Sequence, residues 1–166
     1  MFSSPFESNE DSVKDFFPND AEVVFVSDLF EDHYKGGAEL TNSAILEVSP
    51  FRTVCLMSRD INQEILKAGK NKFWVFTNFS QMNLSLIKDM IELKLNYSVI
   101  EYDFKYCKYR SPEKHKNEEN VDCDCHLTDF GNFIFRFYEN AKSTWWMSQK
   151  QLEVYETKFN KKLTKT

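Results

Sequence analysis

The sequence predicts an α/β domain of three layers, in which helices cover both faces of a mostly parallel sheet of about five strands. Five short runs of β-branched and aromatic residues recur along the 166-residue chain, and segments with helical apolar spacing separate them. Strands that alternate with helices are typical of a parallel sheet. The chain is 42% hydrophobic and contains 16 phenylalanines, so it has enough apolar surface for one core.

The predicted elements follow one another in a regular order. The strands are Glu22–Ser27, Arg52–Met57, Lys72–Thr77, Tyr97–Tyr102 and Ser143–Met147. Helices are predicted where apolar residues recur three or four positions apart, over 40–48, 62–68, 84–95, 133–141 and 152–159. Pro50 and Gly69 follow the first two helices and end them. This order predicts a single Rossmann-like domain over residues 21–160.

The two ends of the chain are more highly charged than the predicted domain. Residues 1–20 carry five acidic residues against Lys14 alone, which predicts an acidic, partly disordered leader. Residues 161–166 form a short basic tail. Both ends are expected to be solvated rather than packed.

Composition excludes several classes of partner. The net charge is −5, whereas nucleic-acid-binding domains are usually basic, so nucleic acid is not an expected partner. No run approaches the ~20 apolar residues that a membrane span requires, and no secretory signal opens the chain. We therefore expect a cytoplasmic protein whose four cysteines are reduced.

The loop after the first strand is the most informative stretch. Residues 25–40 read FVSDLFEDHYKGGAEL, so Gly36 and Gly37 stand at a strand-to-helix junction. Adjacent glycines let the backbone approach a ligand closely or adopt a positive φ. The helix that follows presents free N–H groups and a positive dipole end, which favour an anion such as phosphate. Neither GxGxxG nor the P-loop lysine is present, so neither dinucleotide nor ATP-type binding is predicted.

A first strand, a polar loop and Gly-Gly-Ala-Glu at the start of a helix resemble the beginning of nucleotide-sugar glycosyltransferases of the GT-B type. The resemblance covers about residues 21–160 in architecture, but only 25–40 at the level of a motif. In that family the Gly-Gly loop faces the cleft between two Rossmann-like domains, near the donor diphosphate and the acceptor. The resemblance implies that Gly36, Gly37 and Glu39 lie at such a cleft, and that the ligands are a nucleotide sugar and a sugar acceptor.

One part of the family pattern is missing from this sequence. The C-terminal domain of those enzymes binds most of the nucleotide sugar and carries a Glu-x7-Glu motif, whereas this chain ends at Thr166. We expect a glycosyltransferase-like domain that needs a separate C-terminal domain. The alternative is a non-catalytic binding or interaction module of the same fold. In that case Gly36-Gly37 is a tight turn and Glu39 interacts only with the helix dipole.

Two further side chains near the glycine loop are candidate substrate-binding groups. Asp28 follows the first strand directly, and His33 lies in the same loop, so either could exchange a proton with an acceptor hydroxyl. A single loop aspartate or histidine is also common as plain polar surface. No catalytic residue is assigned from the sequence.

The long polar stretch 105–129 concentrates soft metal ligands. It contains Cys107, His115, Cys123, Cys125 and His126. Zinc prefers four thiolate and imidazole ligands, so a structural zinc ion held by the three cysteines and one histidine is predicted. His126 adjoins Cys125 and would strain a tetrahedral site, which makes His115 the expected fourth ligand. The C-x-C spacing is tighter than usual for zinc, and a reduced loop without metal is the alternative.

Overall fold

A computed structural model of the chain describes residues 17–163. Their fold contains one sheet of five strands in the spatial order β2–β1–β3–β4–β5. The strands are β1 (Val23–Ser27), β2 (Thr53–Met57), β3 (Phe73–Phe76), β4 (Asn96–Glu101) and β5 (Ser143–Trp146). Every neighbouring pair is parallel, which confirms the predicted Rossmann-like α/β fold.

Within residues 17–163, six α-helices connect and flank these strands. They are α1 (Gly37–Val48), α2 (Gln63–Ala68), α3 (Leu86–Glu92), α4 (Pro112–Glu119), α5 (Asp129–Asn140) and α6 (Gln149–Phe159). Short 3-10 turns occupy Ser58–Asp60 and Cys125–Leu127. The stretch 105–129, predicted only as a long polar loop, thus contains a helix. Helix α4 lacks an apolar face, so only its end residues indicate it in the sequence. Ser111 caps its start, Pro112 follows, and Asn120 ends it in the left-handed conformation.

One face of the sheet carries the main core. Side chains alternate between the two faces of a strand, so Val24, Trp74 and Tyr97 point to the same side. They belong to one buried cluster, together with apolar residues of α2, α3, α5 and α6. Aromatic rings dominate it, and Phe76 alone packs edge-on against Phe79, Tyr97 and Phe137.

Helix α1 covers the opposite face. The chain moves from β1 to β2 in one direction and then reverses toward β3, β4 and β5. Because such crossovers are right-handed, the reversal places α1 on the other side of the sheet from α2, α3 and α5. Between α1 and β5 this outer face forms an apolar groove of about 1100 Å³ that includes Ile45, Phe73, Val75, Ile100 and Trp145.

The packed domain extends slightly beyond its predicted limits. Phe17 is buried against Trp74, with ring centroids 6.1 Å apart, and Leu163 is buried at the other end. The predicted leader therefore contributes at least one core residue. Its residues 1–16, and residues 164–166 of the predicted basic tail, lie outside the described residues. Within 17–163, no helix combines the length and apolar character needed to cross a membrane.

Candidate functional site

The strand order reverses between β1 and β3, and this switch point is where open α/β sheets bind ligands. The glycine loop lies at the same place, because it leaves the carboxyl end of β1 and leads into α1. Gly36 is the N-cap of α1 with φ −100°, and no described glycine has a positive φ. The positive φ expected of a glycine here is therefore not found. Glycine is needed at position 36 because a side chain there would collide with its neighbours.

The space at Gly36 is taken by Glu39. A Cβ at position 36 would stand 2.5 Å from a carboxylate oxygen of Glu39 and 2.7 Å from the Tyr34 ring. A Cβ at Gly37 would meet no atom of the described residues within 4 Å, so the backbone there is open. Glu39 is only 7% exposed and lines an open pocket of about 460 Å³ that lies between α1, the loop after β1 and the end of β2. The predicted site residue His33 lies on the wall of the same pocket.

Asp28 connects three loops at the carboxyl edge. It accepts hydrogen bonds from the hydroxyls of Ser58 and Ser80 and from the backbone N–H groups of Ser80 (2.9 Å) and Gln81 (3.0 Å). Burial raises the pKa of Asp28, but these hydrogen bonds outweigh it and leave the pKa below its ordinary value. With both oxygens engaged, Asp28 holds the β1, β2 and β3 loops together.

Asn42 performs a similar task beneath the glycine loop, and the sequence did not point to it. It is fully buried, and its side-chain nitrogen lies 3.2 Å from Ser27 Oγ and 3.3 Å from Thr77 Oγ1. Its oxygen accepts a 2.7 Å hydrogen bond from the Tyr102 hydroxyl. The buried residues of α1 are Glu39 and Asn42, whereas the apolar Val48 is exposed. Apolar spacing alone could not have identified this face.

The structure also brings together the four residues predicted as metal ligands. Cys107, His115, Cys123 and Cys125 are all buried, and their potential ligand atoms lie within 4.8 Å of one another. His115 Nδ1 is 3.7 Å from the Cys107 sulfur and 3.4 Å from the Cys125 sulfur. Zn–S and Zn–N bonds at tetrahedral angles place sulfur and nitrogen about 3.6 Å apart. The cluster could therefore hold a metal ion.

Local structure sets each ligand in place. Cys107 lies in a turn in which its N–H donates to the Phe104 carbonyl at 2.8 Å, and His115 projects from α4. Cys125 opens a 3-10 turn, and the Thr128 hydroxyl, which caps α5, donates to its carbonyl at 2.7 Å. Gly131 permits this close approach, because a Cβ there would stand 2.1 Å from the Cys125 oxygen.

Burial of the cluster favours neutral thiols over bare thiolates, so thiolates there would need a bound cation. Burial raises the pKa of the Cys123 thiol to about 12, and the other two cysteines of the cluster contribute to the shift. The Tyr106 hydroxyl is buried without a hydrogen-bond partner among the described residues, although the three cysteines influence its pKa. A thiol is a weak acceptor, whereas a metal-bound thiolate is a strong one and could accept this hydrogen. On the other side, Asp124 Oδ1 lies 4.0 Å from His115 Nε2.

A buried ionic network joins this cluster to the sheet. Glu101, at the end of β4, is fully buried and accepts hydrogen bonds from Lys105 (2.9 Å), Tyr155 (2.9 Å) and Tyr138. Burial raises the pKa of Glu101 to about 7, although the Lys105 ammonium acts in the opposite direction. Lys105 is two residues from Cys107, so the network fixes the start of the segment that carries the Cys3His cluster.

Comparisons with models of protein families, with curated proteins and with solved structures find no match to this chain. The fold and the two clusters define a Rossmann-like α/β domain with an acidic pocket between α1 and the end of β2, and a buried Cys3His cluster within residues 107–125. What the domain does must therefore be inferred from the chemistry of its own side chains.

Proposed function

We propose that the chain is the acceptor-side domain of a nucleotide-sugar glycosyltransferase of the GT-B type, and that it contributes to sugar transfer together with a donor-binding domain. The observation that carries the proposal is the position of Gly-Gly-Ala-Glu. It opens α1 at the carboxyl end of β1, and Glu39 lines a pocket of about 460 Å³ there. Ligand pockets usually measure about 300–1,000 Å³.

The sheet is compatible with this proposal. A doubly wound Rossmann sheet runs 3-2-1-4-5-6, and removal of its third strand followed by renumbering gives the order found here. Flavodoxin-like domains share the order 2-1-3-4-5. It is therefore the glycine loop, rather than the strand order, that favours a glycosyltransferase.

The proposal is tested by sugar binding at the pocket. We expect neutral and amino monosaccharides to perturb the amide NMR signals of residues 31–39, and UDP-glucose to bind weakly or not at all to the isolated chain. Ser43→Phe, on the pocket wall, should abolish sugar binding. Thr41→Phe, on the exposed side of the same helix, is the matched control. Micromolar binding of UDP-glucose would contradict the proposal that a separate domain binds the donor. Sugar binding that Ser43→Phe leaves intact would contradict the proposal that this pocket binds the acceptor.

The alternative function is a non-catalytic interaction module, and the outer groove favours it. Trp145 is 57% exposed beside that apolar groove, which is a surface suited to a protein partner. If no sugar or nucleotide sugar binds, and a Trp145→Ala variant loses association with a partner protein that the unmodified chain binds, this alternative is the better description.

We also propose that the buried cluster holds a structural zinc ion in a cytoplasmic, reducing environment. Three sulfurs and one imidazole would complete a tetrahedral coordination shell around the ion and leave no open position, as in structural zinc sites. Asp124 would orient the His115 ring, as carboxylates commonly do for zinc-bound histidines. Elemental analysis of protein without a His-tag should give about one equivalent of zinc. Cys123→Ser should lose it, whereas Cys55→Ser, at an exposed cysteine outside the cluster, should keep it.

A further inference from the structure

Glu39 is a buried carboxylate on the wall of the pocket. It is 7% exposed, and among residues 17–163 no side chain or backbone group forms a hydrogen bond or ion pair with it. An isolated buried carboxylate is costly unless another group compensates it. The N-terminus of α1 compensates part of the charge, because Glu39 is the third residue of that helix. The carboxylate can still accept hydrogen bonds from a group bound in the pocket, because Glu39 lines it.

The pocket around Glu39 is acidic. Among the described residues, its lining includes four carboxylates, those of Glu31, Asp32, Glu39 and Asp60, and no lysine or arginine. Two exposed cations already face these acids: Lys35 lies 3.9 Å from Glu31, and Arg59 lies 3.9 Å from Asp60. Exposed pairs of this kind are weak, so the pocket keeps a negative potential. That potential disfavours a phosphate and favours a cation.

The rest of the pocket indicates what kind of cation would fit. Phe30, Leu46, Leu56 and Met57 supply apolar walls, which suit a carbon ring better than a hydrated ion. Within the described residues, these carboxylates do not converge into a metal-binding group, as the Cys3His cluster does. The combination therefore suits an organic ring that carries one positive charge.

We infer that this pocket recognises a primary ammonium group on a sugar-sized ring, with the ammonium donating to Glu39. This inference rests on the proposed function and narrows it, because the acceptor would be an amino sugar rather than a neutral one. Gly36 contributes by leaving room for the Glu39 carboxylate. The donor diphosphate would then be bound elsewhere than in this acidic pocket.

The inference is tested by NMR titration of the full chain at pH 6 with glucosamine, N-acetylglucosamine and glucose. Glucosamine should shift the amide signals of residues 31–39 and 56–60. The two uncharged sugars should bind at least about tenfold more weakly, which corresponds to the loss of one charge-assisted hydrogen bond. Glu39→Gln should remove this preference, whereas Glu113→Gln, at an exposed glutamate on α4, should leave it intact.

The outcomes separate this inference from the proposed function. Equal binding of the three sugars, unaffected by Glu39→Gln, would overturn the ammonium site and leave a sugar-binding domain. Binding of cyclohexylamine, lost in Glu39→Gln, without any sugar binding would support the ammonium site and contradict the glycosyltransferase. If neither amine binds, or if inorganic phosphate binds at Glu39 instead, the inference is wrong.

Discussion

The Tyr102 hydroxyl donates a 2.7 Å hydrogen bond to Asn42 Oδ1 and thereby joins the end of β4 to the middle of α1. The Asn42 nitrogen faces Ser27 and Thr77 at the ends of β1 and β3. A single buried amide thus connects α1 to the carboxyl ends of three strands. Because Glu39 precedes Asn42 by one helical turn, the same contacts determine where that carboxylate stands.

We expect Asn42→Ala to lower the free energy of unfolding by about 2–3 kcal/mol, because it leaves buried hydroxyl groups without partners. Thr41→Ala is the matched control: its exposed hydroxyl bonds only to the Gly37 carbonyl, and the change should stay within about 0.5 kcal/mol. Urea denaturation followed by circular dichroism measures both. Similar losses in the two variants would show that Asn42 is not a special connection.

Removal of the proposed zinc should affect one segment of the chain. Chelation should increase amide hydrogen exchange over residues 105–128, because the four ligands hold separate parts of this largely polar stretch together. Amides of β1, β3 and β4 should remain protected, since the aromatic core lies among these strands and α5. Loss of protection throughout the sheet would mean that the metal supports the whole fold.

The Glu101 network gives a pH dependence whose sign can be stated. The pKa of Glu101 rises from an ordinary value of 4.5 to about 7, so between these values the folded protein binds more protons than the unfolded chain. Its contribution to stability is complete below pH 4.5 and declines as the pH rises to about 7, by on the order of 3 kcal/mol at most.

Glu101→Gln should remove this decline, so the stability difference between the unmodified protein and the variant should shrink from pH 4.5 to pH 7. Chemical denaturation at several pH values measures the difference, and the exposed Glu113→Gln serves as the control. A difference that grows with pH would show instead that Glu101 stays ionised as the partner of Lys105.

Two glycines provide an opposed pair of substitutions. Gly131→Ala should destabilise the protein by more than 2 kcal/mol and reduce zinc content, because the new methyl group would collide with the Cys125 carbonyl. Gly37→Ala meets no atom within 4 Å and should be neutral or stabilise the helix by up to about 1 kcal/mol. Thermal unfolding and metal analysis on both variants check the contrast. A stable, zinc-loaded Gly131→Ala variant would show that the turn can move.

The strands and most helices could be predicted because their apolar periodicity reflects burial. The members of the Cys3His cluster could be predicted from their residue types. Helix α4, which lies between two of them, could not be predicted, because a wholly polar helix shows no apolar periodicity. Asn42 and Glu101 were missed for a different reason. Their importance depends on partners 15 to 60 residues away along the chain, and only the fold brings those partners together.

The uneven covering of the sheet has a practical consequence for anyone who works with this domain by itself. The groove of about 1100 Å³ on the outer face leaves Trp145 57% exposed on β5, which is the edge strand of the sheet among the described residues. Such a surface favours aggregation at high concentration and retention on hydrophobic resins. Trp145→Lys should reduce aggregation without loss of stability, because Trp145 is not part of the buried core cluster.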